Sequence, residues 1–205
     1  GMGMGPVEGM VVMEELGRGI VLEPLAQTLI TSGALGGYAP AELKADWLPR
    51  MASGEALVVL AHQERKARYR TDVCATVATA AGSGWTLNGT KNVVPAGDQA
   101  DAFVVPAMAN GQLALFVVER AAAGVATRGY LTQDGGRAAD VTLANSPANS
   151  VVGDYKIDFD ALDANRNGTL SRGEVRSNAT LSAEFRAVDV NRDGRLSKDE
   201  LKGWM

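Results

Sequence analysis

Two stretches of twelve residues carry oxygen-bearing side chains at matching intervals. Asp163-Ala-Asn165-Arg-Asn167-Gly168-Thr169-Leu170-Ser171-Arg-Gly-Glu174 and Asp189-Val-Asn191-Arg-Asp193-Gly194-Arg195-Leu196-Ser197-Lys-Asp-Glu200 place them at positions 1, 3, 5, 9 and 12, with glycine at 6. A hard cation such as Ca2+ takes about six to eight oxygens at roughly 2.3–2.6 Å, so alternate residues of a tightly wound loop must point inward. Asp163, Asn165 and Asn167 suit this in the first stretch, and Asp189, Asn191 and Asp193 in the second. Gly168 and Gly194 let the chain turn through left-handed backbone at little steric cost. Thr169 and Arg195 need offer only carbonyl oxygens. Ser171 and Ser197 act through water, and Glu174 and Glu200 close the sphere with both carboxylate oxygens.

The flanks repeat too: Phe159 and Phe185 stand before the loops, Leu162 and Val188 directly precede them, and Val175 and Leu201 directly follow. This is a tandem EF-hand pattern, and it predicts two Ca2+ sites. Leu170 and Leu196, at position 8, are expected to bring the loops side by side. Loop one offers two carboxylates and loop two three, so loop two is expected to bind more tightly. The short spacing requires short helices between the loops, with a turn at Ser177-Asn178-Ala179-Thr180 and a helix capped by Thr180 or Ser182. No methionine precedes Met205 in this region, which favours a structural or buffering pair over a switch that opens a Met-rich groove.

The rest of the chain must be placed around this module. At 205 residues, 46% apolar and 21% charged, the protein has room for a sizeable domain and a small one. The net charge of −4 offers no basic face for nucleic acid or an anionic membrane. No apolar run reaches membrane-spanning length and the first residues do not read as a signal peptide, so a soluble, cytoplasmic protein is expected. Cys74 is the only cysteine and reads as a small buried apolar residue.

Residues 7–52 read as helical. Met10, Val11, Met13, Leu16, Ile20 and Leu22 form an apolar series interrupted by Pro24. A second helix is expected from Pro24 to Leu35, ended by the Ser32-Gly33 and Gly36-Gly37 steps. A third is expected from Ala41 to Met51, opened by Pro40 and packing through Leu43, Trp47 and Leu48. After Ser53-Gly54 the pattern turns to strands at Ala56–Ala61, Val73–Ala80, Trp85–Leu87, Ala102–Val105, Leu113–Val118 and Val141–Leu143. Asn88-Gly89 reads as a hairpin turn between Trp85–Leu87 and a strand from Lys91. The fold class is therefore α+β: N-terminal helices (residues 1–53) and a small β-barrel or sandwich domain (54–153), followed by an all-α EF-hand pair (154–205).

Glu14-Glu15-Leu16-Gly17-Arg18, Trp47-Leu48-Pro49-Arg50-Met51-Ala52-Ser53-Gly54-Glu55, Gly84-Trp85-Thr86-Leu87-Asn88-Gly89-Thr90-Lys91 and Ala100-Asp101-Ala102-Phe103-Val104-Val105 stand in order and at spacings that resemble the acyl-CoA dehydrogenase family over residues 3–153. The resemblance implies part of that family's N-terminal helical domain and its whole middle β-domain. The C-terminal helical bundle, which in most members carries the catalytic glutamate, has no counterpart, and the EF-hand pair stands in its place. FAD would lie against His62, Gln63 and Glu64 and against Val93, Val94 and Pro95. The usual Thr-Glu-Pro segment is Gln63-Glu64-Arg65 here, and the tryptophan-apolar-threonine run is Val93-Val94-Pro95, which removes a hydroxyl from the flavin side.

No catalytic residue is assigned within this chain. His62 is the sole histidine, which excludes multi-histidine zinc sites, and its expected role is that of a strand residue near the cofactor face. Gly33–Gly37 and Gly82–Gly84 lack the register of a phosphate cradle. The charged run Glu64–Arg70 is expected to be a solvated loop, with contact to CoA or FAD phosphates as the alternative. Three readings remain: a calcium-binding protein whose acyl-CoA dehydrogenase-like region is a scaffold or interaction surface, an FAD-dependent acyl-CoA oxidoreductase completed by a subunit that supplies the bundle, or a fusion without joint function. Apolar surface left on the β-domain predicts self-association in each case.

Overall fold

The computed structural model describes residues 5–67, 70, 73–82, 84–151, 159–177 and 179–204. The chain divides into two compact units, Gly1–Gly153 and Asp154–Met205. Asn178, in the expected inter-loop turn, and Arg68 and Tyr69, in the charged run, lie outside the described residues.

The first unit begins with three helices, α1 (Pro6–Arg18), α2 (Leu25–Tyr38) and α3 (Ala41–Ser53). Glu8 in the first turn of α1 accepts a bond from Gly5 N at 2.7 Å, satisfying a backbone donor ahead of the helix. Helix α2 does not stop at its glycines but continues through Gly33, Gly36 and Gly37 to Tyr38. Each glycine costs a helix about 1 kcal/mol, and tertiary anchoring offsets this. Leu35 is fully buried, and Thr31 Oγ1 donates to Val58 O at 2.8 Å. Helix α3 starts at Ala41 after Pro40 and ends on Gly54, whose φ of 77° provides the left-handed residue that a helix C-terminus favours.

Among the described residues seven strands follow: β1 (Val58–Leu60), β2 (Val77–Ala81), β3 (Gly84–Pro95), β4 (Ala102–Ala109), β5 (Gln112–Glu119), β6 (Val125–Leu131) and β7 (Arg137–Ser150). They run β1-β4-β2-β3-β7-β5, and β5 pairs back with β4. The path from β4 through β2, β3, β7 and β5 therefore closes on itself, a small barrel-like domain. Strand alternation divides its faces: Phe103 and Val105 join an inner core with Leu87, Phe116 and Val141, while Val104 packs with Leu35, Trp47 and Met51 beneath the helices.

The expected hairpin at Asn88-Gly89 does not form. Strand β3 is continuous for 12 residues, with register shifts against β7 between Leu87 and Gly89 and between Lys91 and Val94. Pairing with β2 on one side and β7 on the other holds β3 extended. Asn88 spans the first irregularity by donating from Nδ2 to Asn145 Oδ1 at 2.8 Å while its Oδ1 accepts from Asn145 N at 2.9 Å. Gly89 is required for space, since a Cβ there would lie 2.5 Å from Thr76 Oγ1 and 2.8 Å from Thr76 Cα.

The second unit contains α4 (Phe159–Leu162), β8 (Thr169–Ser171), a 3-10 turn at Glu174–Ser177, α5 (Ala179–Val188), β9 (Arg195–Ser197) and α6 (Lys198–Trp204). It is not all-α as expected: positions 7 to 9 of each loop are extended, and β8 and β9 pair antiparallel with Leu170 opposite Leu196. Helix α5 begins at Ala179, so Thr180 and Ser182 lie inside it rather than ahead of it. Phe159, Leu170, Val175, Leu181, Phe185, Val188, Leu196 and Leu201 form its core.

Candidate functional site

The two loops share one hydrogen-bond plan. In the first, Asp163 accepts from Asn167 N at 3.0 Å and Gly168 N at 2.8 Å. In the second, Asp189 accepts from Asp193 N at 3.1 Å and Gly194 N at 3.0 Å. These bonds wind each loop around its first carboxylate. Positive φ at Arg166 and Gly168, and at Arg192 and Gly194, turns the chain twice in each loop, at positions 4 and 6. The position-4 turns had no signal in the sequence.

The twelfth residue closes each loop. Glu174 Oε2 accepts from Ser171 Oγ at 2.7 Å and Ser171 N at 2.9 Å, and Oε1 accepts from Asn165 N at 3.4 Å. Glu200 repeats this with Ser197 Oγ at 2.7 Å, Ser197 N at 2.9 Å and Asn191 N at 3.3 Å. The Ser171 hydroxyl and backbone N–H hold the Glu174 carboxyl below its ordinary range, and the Ser197 backbone N–H and hydroxyl do the same for Glu200. Asn167 Oδ1 accepts from Thr169 N at 2.9 Å and Asp193 Oδ1 from Arg195 N at 2.8 Å. All twelve residues nominated from the sequence thus fall in two equivalent loops. Among the described residues no three His, Cys, Asp or Glu side chains gather at one point, so amide, hydroxyl and carbonyl oxygens must complete either donor set. That hard-oxygen mixture fits calcium chemistry.

The six residues nominated for a flavin lie on two adjacent segments, since Asn92 N donates to Gln63 O at 2.8 Å. His62 and Gln63 are half-buried, Val94 is buried, and Val93 and Pro95 are exposed. Glu64 points inward. Its Oε1 accepts from Lys91 Nζ at 2.7 Å, from Thr76 Oγ1 at 2.6 Å and from Thr76 N at 3.1 Å, while Oε2 accepts from Ala75 N at 2.6 Å. Burial opposes the charge on Glu64, but these bonds, led by Lys91, prevail and lower its pKa to about 2. Cys74, half-buried, donates to Pro106 O at 3.3 Å and to Glu64 Oε1 at 3.4 Å; burial foremost pushes its thiol above the usual value. Val93 N is also engaged, donating to Asp140 Oδ1 at 3.3 Å. The Glu64 carboxylate and the Val93 N–H are thus already bonded within the chain.

A cleft of about 510 Å3 opens beside these residues, lined in part by Arg65, Lys66, Thr76, Gly89, Arg128 and Asp140. Sequence reading missed Arg128 and Asp140, which pair at 2.9 Å. A lone aspartate within the apolar alternation of Ala138–Leu143 was the available signal.

Two family models cover the first unit: the acyl-CoA dehydrogenase N-terminal domain over residues 1–55 and the acyl-CoA dehydrogenase middle domain over residues 60–145. The first unit belongs to the acyl-CoA dehydrogenase family. The EF hand model matches residues 157–177 and 181–205, so the second unit is an EF-hand pair. Acyl-CoA dehydrogenase FadE27 of Mycobacterium tuberculosis is 30% identical over 133 residues, 64% of this chain and 34% of that protein. Among solved structures, the ChsE4-ChsE5 complex from Mycobacterium tuberculosis aligns with a TM-score of 0.68 at 27% identity, covering 75% of this chain and 42% of that one. The Tcur3481-Tcur3483 steroid ACAD aligns with a TM-score of 0.64 at 30% identity, covering 69% and 39%. The acyl-CoA dehydrogenase-like region thus spans about a third of the length of its curated relative. Among the described residues no helix is long and apolar enough to cross a membrane.

Proposed function

We propose that the protein binds two calcium ions through its EF-hand pair, with the acyl-CoA dehydrogenase region serving as scaffold or interaction surface. The observation that carries this reading is the repeated closure by Glu174 and Glu200, each tied to positions 3 and 9 of its own loop. In loop one, Asp163, Asn165, Asn167 and Glu174 supply side-chain oxygens, Thr169 its carbonyl, and Ser171 a water-mediated contact. In loop two, Asp189, Asn191, Asp193 and Glu200 supply side-chain oxygens, Arg195 its carbonyl, and Ser197 a water-mediated contact. Loop two carries Asp189, Asp193 and Glu200 against Asp163 and Glu174 in loop one, and is the tighter site once a bound ion draws its three carboxylates together. A unit of this size has a small core, so the ions contribute folding free energy. Thermal unfolding of the full chain with excess calcium or with a chelator tests this. At free calcium about a hundredfold above Kd, each site adds about 2.7 kcal/mol to the second unit, and equal transitions in both conditions would refute the proposal.

The scaffold reading includes a partner. Val7, Met10, Val11, Ile20, Leu22, Leu29 and Ile30, on α1, α2 and the segment between them, are each 47–81% exposed, and burial of such apolar side chains against a partner would be favourable. A second copy of this chain, or a subunit bringing a helical bundle, would cover it. Relatives in this family include the two-component ChsE4-ChsE5 complex.

The cleft supports a second reading. Arg65, Lys66 and Arg128 around it suit an anionic group such as a phosphate of FAD or CoA, and a glutaryl-CoA dehydrogenase from Mycobacterium smegmatis in complex with FADH2 has the same fold at 25% identity. In that reading the chain is part of an FAD-dependent acyl-CoA oxidoreductase completed by another subunit. Retention of a visible flavin band after FAD is added and the excess removed would favour it, and a colourless protein would exclude it.

A further inference from the structure

The two loops are built on one plan but differ in charge at position 7, where loop one has Thr169 and loop two Arg195. The backbone of Arg195 needs only its own carbonyl for loop two, and its N–H is already bonded to Asp193 Oδ1 at 2.8 Å. Its side chain leaves that loop. Strand β9 pairs Arg195 with Ser171, position 9 of loop one, and the guanidinium Nη1 donates to Thr169 Oγ1 at 3.3 Å. Thr169 Oγ1 donates in turn to Asn167 Oδ1 at 2.8 Å, the side-chain oxygen at position 5 of loop one. A permanent positive charge from one loop thus reaches the donor shell of the other, and neutral Thr169 returns nothing.

We infer that Arg195, a residue of the second loop, sets the calcium affinity of the first. This rests on the calcium reading above. A guanidinium keeps its charge at any accessible pH, and charges closer than a Debye length, about 8–10 Å at physiological salt, are felt by one another. A divalent cation held by Asn167 and its neighbours in loop one is repelled by the guanidinium that Arg195 brings to Thr169. Loop one already has the fewer carboxylates, and Arg195 widens the gap. The pair therefore fills in order, loop two first.

The test is a calcium titration of the 15N-labelled full chain, reading the amide signals of Gly168 and Gly194 as reporters of loops one and two. Arg195→Gln removes the charge and Arg195→Lys keeps it. The Gly168 binding constant of Arg195→Gln should rise roughly three- to tenfold at low salt, with the gain shrinking as ionic strength approaches about 0.15 M. The Gly194 constant stays unchanged in both variants, and Arg195→Lys keeps most of the wild-type weakness at Gly168. An unchanged or weakened Gly168 constant in Arg195→Gln, with two sites still filling, overturns this inference and leaves the calcium reading standing. A wild-type chain in which neither glycine responds to calcium overturns both.

Discussion

Lys91 Nζ donates to Glu64 Oε1 at 2.7 Å with the lysine side chain fully buried and the glutamate side chain 5% exposed. Glu64 and Lys91 lie 27 residues apart, and the bond draws the segment ahead of β2 against the bulged half of β3. Removing one member of such a pair leaves an uncompensated buried charge. Lys91→Met should therefore destabilise the first unit by about 3–5 kcal/mol, and adding Glu64→Gln should recover part of that loss. Urea unfolding of the full chain, with Trp47 and Trp85 as fluorescent reporters of this unit, measures both.

The same pair fixes a pH window. The carboxyl of Glu64 is lowered to about 2 in the folded protein, against about 4.3 in an unfolded chain. Its contribution is complete above about pH 4.5 and is lost as pH falls toward 2. Acid unfolding of the wild type should steepen across that interval, and in Glu64→Gln that component should be missing.

Gly89 crosses Thr76 too closely for any side chain. Gly89→Ala should cost about 1–3 kcal/mol by overpacking. Thr76→Ala in the same chain should relieve only part of it, because the conflict with the Thr76 Cα remains.

The exposed apolar residues of α1 and α2 predict association. The full chain should sediment above the monomer mass of 21.4 kDa, and Met10→Glu with Ile30→Glu should shift it toward monomer. A wild-type chain that sediments as a monomer at high concentration would remove the second-copy form of the partner proposal.

The loops were legible because their donors are neighbours in sequence: six positions within twelve residues, with glycine at a fixed place, state a loop before any tertiary contact. Leu170 opposite Leu196 followed from the duplication. The barrel strands were legible where apolar residues alternate, as at Phe103 to Val105, but β6 was missed because Val125–Leu131 has no buried residue and so little apolar pattern. Asn88-Gly89 misled because a local hairpin signal was overruled by pairing of β3 with β2 and β7. The glycines of α2 misled for a related reason, since Thr31 and Leu35 anchor the helix from outside it. The Glu64–Lys91 pair had no local signature, as a lysine inside a strand reads as solvated until its partner is known.

The most direct test of the central claim is isothermal titration calorimetry of the full chain with calcium, alongside Glu174→Gln and Glu200→Gln. Two binding events in the wild type, with the weaker lost in Glu174→Gln and the tighter lost in Glu200→Gln, are the predicted result. No binding in the wild type, or binding that survives both substitutions together, would contradict the account.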